Sequence, residues 1–200
     1  MNILEYENYQ EKISHGNPLF PYITYLCSIP LDFSYVPIHW HDEMELIYIK
    51  KGHGIITVDF TQYQVSAGTL ALIIPGQLHS IEQYENESME YENIIYEVDL
   101  LGGSGDLCYR RYLLPLQSGR LSLPHRLTQG HPCYCAVLEC LRRLETVNRD
   151  RVLGYELQIK GLLLCLLSVL VAQSDGLPPS ENADTRRLKT VLQYVTAHFA

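Results

Sequence analysis

Residues 39–45 and His79 bring together side-chain types that bind metal ions in proteins. Successive side chains of a β-strand alternate between its two faces, so His39 and His41 share one face, and Glu45 joins them if the strand continues. His79 follows a proline-glycine turn and could approach from a neighbouring strand. Three imidazoles and one carboxylate suit a divalent transition metal such as zinc, nickel, manganese or iron(II), with positions left open for water or a ligand.

The same four residues have a second interpretation that needs no metal. Buried polar side chains in proteins find hydrogen-bond partners, and a small number of them commonly line a pocket for a small molecule. His39, His41, Glu45 and His79 could therefore be the polar lining of a ligand site. The sequence leaves both interpretations open, and no cofactor is certain.

Short β-strands must position these side chains, because residues 22–101 have a strand pattern. Apolar, aromatic and β-branched runs are separated by glycine, proline or asparagine. The runs are residues 22–29, 45–50, 54–60, 62–65, 69–74, 79–83 and 89–101. Short strands at this spacing favour a sandwich or barrel, and the lack of an intervening helical pattern argues against a parallel α/β sheet.

The pattern changes to helices after the glycine-rich residues 102–105. Apolar residues recur at helical spacing over residues 133–148 and are opposed by charged ones. A second helix, over residues 152–173, is apolar nearly all round in its second half, and the two predict an antiparallel helical hairpin. Residues 174–184 have the composition of a linker, and a further helix is expected after them.

Composition and charge exclude several classes of protein. The hydrophobic and charged fractions, 46% and 19%, are ordinary for a globular chain, and the formal net charge of -8 disfavours direct contact with DNA. Residues 1–10 lack the apolar run of a secretory signal, so a cytoplasmic location is expected. The most apolar run, residues 162–172, is well short of the roughly 18 residues that a membrane-spanning helix needs, so no membrane association is expected.

The candidate ligands resemble the first conserved motif of the cupin superfamily, H-x-H-x3-E-x6-G. His39, His41, Glu45 and Gly52 match this motif in full. The resemblance implies a fold that is mainly β with C-terminal helices, in which a cupin-like double-stranded β-helix barrel precedes the α-helical hairpin.

The second cupin motif, G-x5-P-x-G-x2-H, is matched with altered spacing. Six residues separate Gly68 from Pro75, and Gly76 follows that proline directly. His79 still falls where the resemblance places its last histidine. The sequence therefore departs from the family pattern just before the fourth candidate ligand.

A more particular resemblance is to the sensor domain of AraC-family transcription regulators. Their barrel has an H-x-H-x-E-x-E-L-like strand and a P-G-x-x-H-like turn, which correspond here to residues 39–46 and 75–79. Two dimerisation helices, a linker and a DNA-binding domain of two helix-turn-helix units follow in that family, and residues 187–199 are similar to its first DNA-binding helix. The resemblance implies a sensor barrel at 1–105, a helical dimerisation region at 106–173, a linker at 174–184 and the start of a truncated helix-turn-helix domain at 185–200.

The function implied by this resemblance is effector sensing. A small molecule would bind in the barrel and control a C-terminal DNA-binding domain absent from this sequence, through which alone DNA would be contacted. Sugars are a common effector class in the resembling family, and a pocket with histidines, a carboxylate and tyrosines could bind hydroxyl groups. The sequence offers no clear general acid or base, so no enzymatic activity is expected.

Two other functions remain open alternatives. One is a metal-dependent cupin enzyme, such as a dioxygenase or isomerase, that uses the same four residues as ligands. The other is an interaction module whose barrel interior is filled by side chains.

The second predicted helix also indicates self-association. Its apolar residues are spread over more than one face, and the barrel can cover only one of them. An apolar face left on the surface usually marks a partner site, and a two-fold dimer is the simplest closed assembly of identical chains. We expect a homodimer through residues 133–173, with its interface formed by Leu157, Leu163, Leu164, Leu167 and Leu170.

Overall fold

The computed structural model describes residues 9–11, 13 and 15–174. Apart from Ser174, the predicted linker lies outside these residues, and so does the predicted start of the DNA-binding domain. The described strands are β1 (Tyr22–Ile29), β2 (Tyr35–His39), β3 (Met44–Val58), β4 (Thr61–Ser66), β5 (Leu70–Ile73), β6 (His79–Gln83), β7 (Met89–Tyr96) and β8 (Arg126–Leu127). The described helical elements are a 3-10 turn (Val98–Leu101), a π-helical turn (Tyr109–Leu113), α1 (Leu114–Gln117), α2 (Tyr134–Asp150) and α3 (Tyr155–Val171).

Strand β3 is the centre of an antiparallel sheet. Its first half pairs with β5 and β7, and its second half pairs with β4 and β6. Strand β1 lies outside β7, β2 lies beside β6, and β8 extends the sheet beyond β5. Because β3 belongs to both halves of the sheet, the two halves close around a common interior.

Gly52 lies inside β3, although the sequence pattern predicts a break between two strands there. Its φ is 75°, and a Cβ atom at this position would lie 1.8 Å from the backbone oxygen of Ser88. Glycine is required because the neighbouring backbone comes too close for any side chain. The predicted runs 45–50 and 54–60 are therefore one strand of 15 residues.

Two apolar clusters lie on opposite sides of the sheet. Successive residues of β3 alternate between them: Leu46 packs in the cluster that includes the helices, and Ile47 packs in the barrel interior. Glu45 has the same parity as Ile47, and it lies opposite Ile73 of β5, which also belongs to the interior cluster. The strand thus directs Glu45 into the barrel.

Helices α2 and α3 pack on the outer face of the sheet. Both present buried apolar residues, such as Val137, Leu144 and Leu166, to a cluster that they share with Met44 and Leu46 of β3. An ion pair also joins the two parts, since Lys50 Nζ lies 2.6 Å from Glu145 Oε1 of α2. The predicted helical hairpin is confirmed, with α2 and α3 joined by residues 151–154.

The predicted fold class, a cupin-like barrel followed by a helical hairpin, is confirmed by this arrangement. The region predicted as helical also contributes β8 to the sheet. Among the described residues, no helix has both the length and the apolar character that crossing a bilayer requires.

Candidate functional site

The structure brings together all four residues that the sequence predicts as ligands. His39 ends β2, Glu45 lies near the start of β3, His79 begins β6, and His41 lies on the loop between β2 and β3. Each side chain offers one potential ligand atom, and these atoms all lie within 4.8 Å of one another. His41, Glu45 and His79 are buried and His39 is half-buried, so the cluster is held inside the barrel.

Residues 39–45, which carry three of the four predicted ligands, do not form one continuous strand. Strand β2 ends at His39 and β3 begins at Met44, so the strand does not continue from the two histidines to Glu45, the condition under which all three would share one strand face. Convergence arises from pairing instead. His39 lies directly opposite His79 in the β2–β6 ladder, and their ring centroids are 4.1 Å apart.

The proline-glycine turn of the second motif positions His41. The backbone N–H of Gly76 donates a hydrogen bond of 2.8 Å to the carbonyl oxygen of His41. Gly76 has a φ of 73°, a left-handed conformation that glycine adopts readily. Despite its altered spacing, this motif therefore places both the turn and His79 at the cluster.

Backbone carbonyls orient two of the imidazole rings. His39 Nδ1 lies 2.9 Å from the carbonyl oxygen of Pro37, and His79 Nδ1 lies 3.0 Å from that of Gln77. A carbonyl can only accept, so each Nδ1 carries the hydrogen and each Nε2 of a neutral ring presents a lone pair. Hydrogen bonds of this kind typically hold metal-binding histidines in position.

Glu45 is the centre of the cluster. Its Oε2 atom lies 3.0 Å from His41 Nε2 and 3.0 Å from His79 Nε2. Burial alone would raise the pKa of Glu45, but His41 and His79 hold it well below its usual range. Because a lone pair on His79 Nε2 would repel a carboxylate oxygen, this geometry requires a proton or a cation between them. The donor set fits a divalent transition metal.

Carboxylates also control the charge of His41. Burial by itself would lower the pKa of this imidazole, yet Glu45, Glu43 and Glu11 together raise it. For His39 the balance is opposite: burial and the neighbouring His79 lower its pKa. His41 therefore favours its protonated form more than an isolated histidine does, whereas His39 favours its neutral form.

Two residues of the N-terminal segment reach the cluster, although neither belongs to a motif of the sequence. The Glu11 carboxylate lies 3.2 Å from His15 Nε2 and 3.8 Å from His39 Nε2. The segment is fixed by its backbone, since the Glu11 N–H donates to the carbonyl oxygen of Trp40 over 3.0 Å. The hydrogen bond with His15 lowers the pKa of Glu11, and the same bond raises the pKa of His15.

A cavity of about 310 Å³ opens beside the cluster. It is lined by Gln10, Glu11, His41, Asp42, Glu43, Glu97, Val98, Asp99 and Gln117. His41 is the residue that the cavity and the cluster share, with Nε2 towards Glu45 and Nδ1 towards Glu43. The lining comes from the N-terminal segment, the β2–β3 loop, the segment after β7 and helix α1, so no single sequence motif could reveal it.

The five leucines predicted to form a dimer interface divide into two groups. Leu163, Leu167 and Leu170 are buried in the chain's own core. Leu157 is 77% exposed and Leu164 is half-buried. Only the second group is available on the surface of the described chain.

Two comparisons with known proteins find similarity to a ligand-binding family and to a transcriptional regulator. The model of the AraC-like ligand binding domain matches residues 20–167. The uncharacterized HTH-type transcriptional regulator YdeC of Bacillus subtilis (strain 168) is 24% identical over 197 residues, which is 96% of this chain and 67% of that protein.

Similar solved structures cover smaller parts of the chain. A predicted oxalate decarboxylase from Thermotoga maritima is 30% identical over 32% of this chain and 56% of its own, with a TM-score of 0.31. A cupin protein from Bacteroides fragilis is 19% identical over 40% of this chain and 81% of its own, with a TM-score of 0.32.

Proposed function

The chain belongs to the family of AraC-like ligand-binding domains, and from this membership we propose that it is the effector-sensing and dimerisation domain of an AraC-family transcription regulator. It binds a small molecule in the barrel and controls a C-terminal domain that contacts DNA in the cytoplasm. The first relative supports this proposal, since it is described as a transcriptional regulator and matches 96% of the chain.

The observation that carries the proposal is the position of His41. This residue is only 4% exposed, and it belongs both to the buried cluster and to the lining of the cavity. Gln117 of α1 lines the same cavity. A molecule bound there would contact the barrel, the N-terminal segment and the helical region at once, which is what a sensor domain requires.

A stability screen tests effector binding. Sugars, amines and small carboxylic acids would be added to the chain one at a time, and the free energy of unfolding would be measured. A ligand at about 100 times its Kd is expected to raise this free energy by about 2.7 kcal/mol. The increase should disappear in His41→Ala and persist in His53→Ala, which removes an exposed imidazole far along β3. Stabilisation by a ligand that survives His41→Ala contradicts the proposed site.

The buried cluster is proposed to hold a divalent transition metal within this sensor. The Nε2 atoms of His39, His41 and His79 and the Glu45 carboxylate would be its ligands. Such an ion acts as a Lewis acid that can bind an oxygen or nitrogen of an effector. We assign the centre no catalytic role, because the family is one of ligand-binding domains.

The exposed face of α3 is proposed as the dimer interface. Its residues follow one another at helical spacing and carry no charge, and all are exposed except Leu164, which is half-buried. They are Leu157, Gly161, Leu164, Cys165 and Ser168. This surface lies away from the leucines that the chain buries in its own core. A second copy of the chain that places the same face against it would give a two-fold dimer.

A further inference from the structure

We infer that the cavity beside His41 binds a small organic cation, such as a primary diamine, through the carboxylates that line it. This inference rests on the proposed sensor function and narrows the class of its effector. It differs from the sugar that the family resemblance implies.

The lining of the cavity is strongly acidic. Five of the nine lining residues carry carboxylates: Glu11, Asp42, Glu43, Glu97 and Asp99. Neither lysine nor arginine is among the lining residues, and no ion pair of the described residues joins these carboxylates to one. The nearby partners are histidines, which contact Glu11 and Glu43 and are charged only when protonated. The rim carboxylates Asp42, Glu97 and Asp99 have no ion-pair partner among the described residues.

The carboxylates that line the cavity repel one another because the described lining contains no lysine or arginine. Burial raises the pKa of Glu97, and the neighbouring charges of Glu43 and Asp99 raise it further. Like charges held together disfavour ionisation, and a bound cation removes this penalty. An ammonium group is therefore complementary to the rim, whereas an anionic ligand would add to the repulsion.

The floor of the cavity independently indicates a ligand. His41 is 96% buried, and its Nδ1 atom has no hydrogen-bond partner among the described residues, with the Glu43 carboxylate 3.5 Å away. Leaving a buried polar atom without a hydrogen bond costs free energy, so native proteins seldom do it. In the observed contact His41 Nε2 donates to the Glu45 carboxylate, so Nδ1 of the neutral ring presents a lone pair. One ammonium group of a bound diamine can donate to this nitrogen while the other lies among the carboxylates.

The size of the cavity favours an organic molecule over a bare ion. A volume of about 310 Å³ lies at the lower end of the roughly 300–1,000 Å³ that small-molecule pockets occupy. The carboxylates come from three separate chain segments, and Gln117 of α1 donates a hydrogen bond of 2.8 Å to Asp99. An elongated cation can reach carboxylates on more than one of these segments at once.

Calorimetry with three matched four-carbon ligands tests the inference. The wild-type chain would be titrated with 1,4-diaminobutane, 1,4-butanediol and succinate, which differ in charge but not in length. We expect measurable binding of the diamine alone, and weaker binding as ionic strength rises. Glu97→Gln should weaken diamine binding about tenfold or more, because hydrogen bonds to charged groups are among the stronger ones. Glu156→Gln, which makes the same charge change on exposed α3, should leave it unaltered.

Four results would overturn the inference. Butanediol that binds as tightly as the diamine and is insensitive to Glu97→Gln would identify a neutral effector, and the proposed sensor function would stand. Calcium binding that Glu97→Gln abolishes, without diamine binding, would identify a metal-ion site. An equal loss in Glu156→Gln would show general attraction to an acidic protein. Failure of all three ligands to bind also rejects an amine site, and the wider stability screen then decides separately whether the sensor function holds.

Discussion

The barrel and the helical pair bury very different side chains. The buried polar residues of the described chain all lie in its first half: His15, His41, Glu45, Thr69, Gln77, His79 and Ser80. The buried side chains of α2 and α3 are apolar, apart from the hydroxyl of Tyr134. Burying polar groups costs free energy unless partners satisfy them, so this cost is concentrated where a ligand can share it. The contrast agrees with the proposal that the barrel binds the ligand, and it shows that the helices provide apolar packing.

The largest effect that this contrast predicts is on metal binding in the barrel. Glu45→Gln keeps the shape of the side chain but removes its charge and one oxygen donor. Metal affinity should fall by more than about 100-fold, because even changes to residues behind the ligands cost 10- to 100-fold. The measurement is competition with a chelator for zinc, manganese, nickel and iron(II). Glu87→Gln, a surface change, should bind metal as the wild type does. Equal metal affinities in the wild type and both variants would contradict the proposed metal site.

Removing a buried leucine from the helices should lower stability and leave metal affinity unchanged. Leu166 is 0% exposed, and Leu166→Ala should lower the free energy of unfolding by roughly 2–5 kcal/mol through lost burial and a new cavity. Metal affinity of the folded variant should not change. Urea denaturation measures the loss, with Leu107→Ala, at a leucine that is 71% exposed, as the matched control. A Leu166→Ala protein that loses metal affinity while it remains folded would contradict the division between the two regions.

Association should depend on the exposed face of α3. Leu157→Glu combined with Leu164→Glu would place two charges in an apolar interface, so the dimer should dissociate at micromolar concentration. Sedimentation of the wild type, the double variant and Glu156→Gln measures this. A monomeric wild type, or a double variant that remains dimeric, rejects the proposed interface, and unchanged metal affinity in the double variant would sharpen the contrast with the barrel.

The hydroxyl of Tyr134 is a small exception to the apolar helices. It donates a hydrogen bond of 2.6 Å to the carbonyl oxygen of Gly68 and so joins α2 to the barrel. Tyr134→Phe should lower the free energy of unfolding by about 1 kcal/mol, the usual contribution of one such bond. Thermal denaturation checks it against Tyr35→Phe, at a tyrosine that is 57% exposed. Equal melting temperatures for the two variants would mean that this bond adds nothing to stability.

The smallest expected effect is the pH dependence of the N-terminal segment. The Glu11 carboxylate raises the pKa of His15, so the stabilisation from this pair is complete below the ordinary histidine pKa and is lost as pH rises through the raised value. The pKa of Glu11 is lowered, so its contribution is lost only as pH falls through that lowered value. NMR titration should give His15 a midpoint above 6.5, the value expected of an isolated histidine.

Glu11→Gln provides the control for that titration. It should return the His15 midpoint towards its ordinary value, because the charge that raises it is gone. A midpoint that does not move would assign the shift to groups other than Glu11.

Local patterns in the sequence predict much of the barrel and all four members of its cluster. The bounds of β1 and β6 agree with the predicted runs, since alternating side chains and turn residues mark both ends. Strand β2 is absent from the predicted runs because pairing with β6, and not local pattern, places His39 against His79. The cavity was missed for a related reason: its carboxylates come from segments that only the fold brings together.

The helices illustrate the same limit. Their existence follows from periodicity, but α3 is apolar on several faces, so its sequence does not say which leucines the sheet covers. Leu163 and Leu157 are the same residue type on one helix, yet one is buried and the other is exposed. Only tertiary packing distinguishes them.

Strand β3 has a consequence for how a bound molecule could be reported to the helices. Glu45 and Leu46 are adjacent in the chain and point to opposite sides of the sheet, one to the cluster and the other to the core that contains α2 and α3. Ladders on both sides hold this part of β3, so the strand cannot tilt one residue without the other. The shortest route for a mechanical signal from the barrel interior to the helices is therefore a single peptide unit.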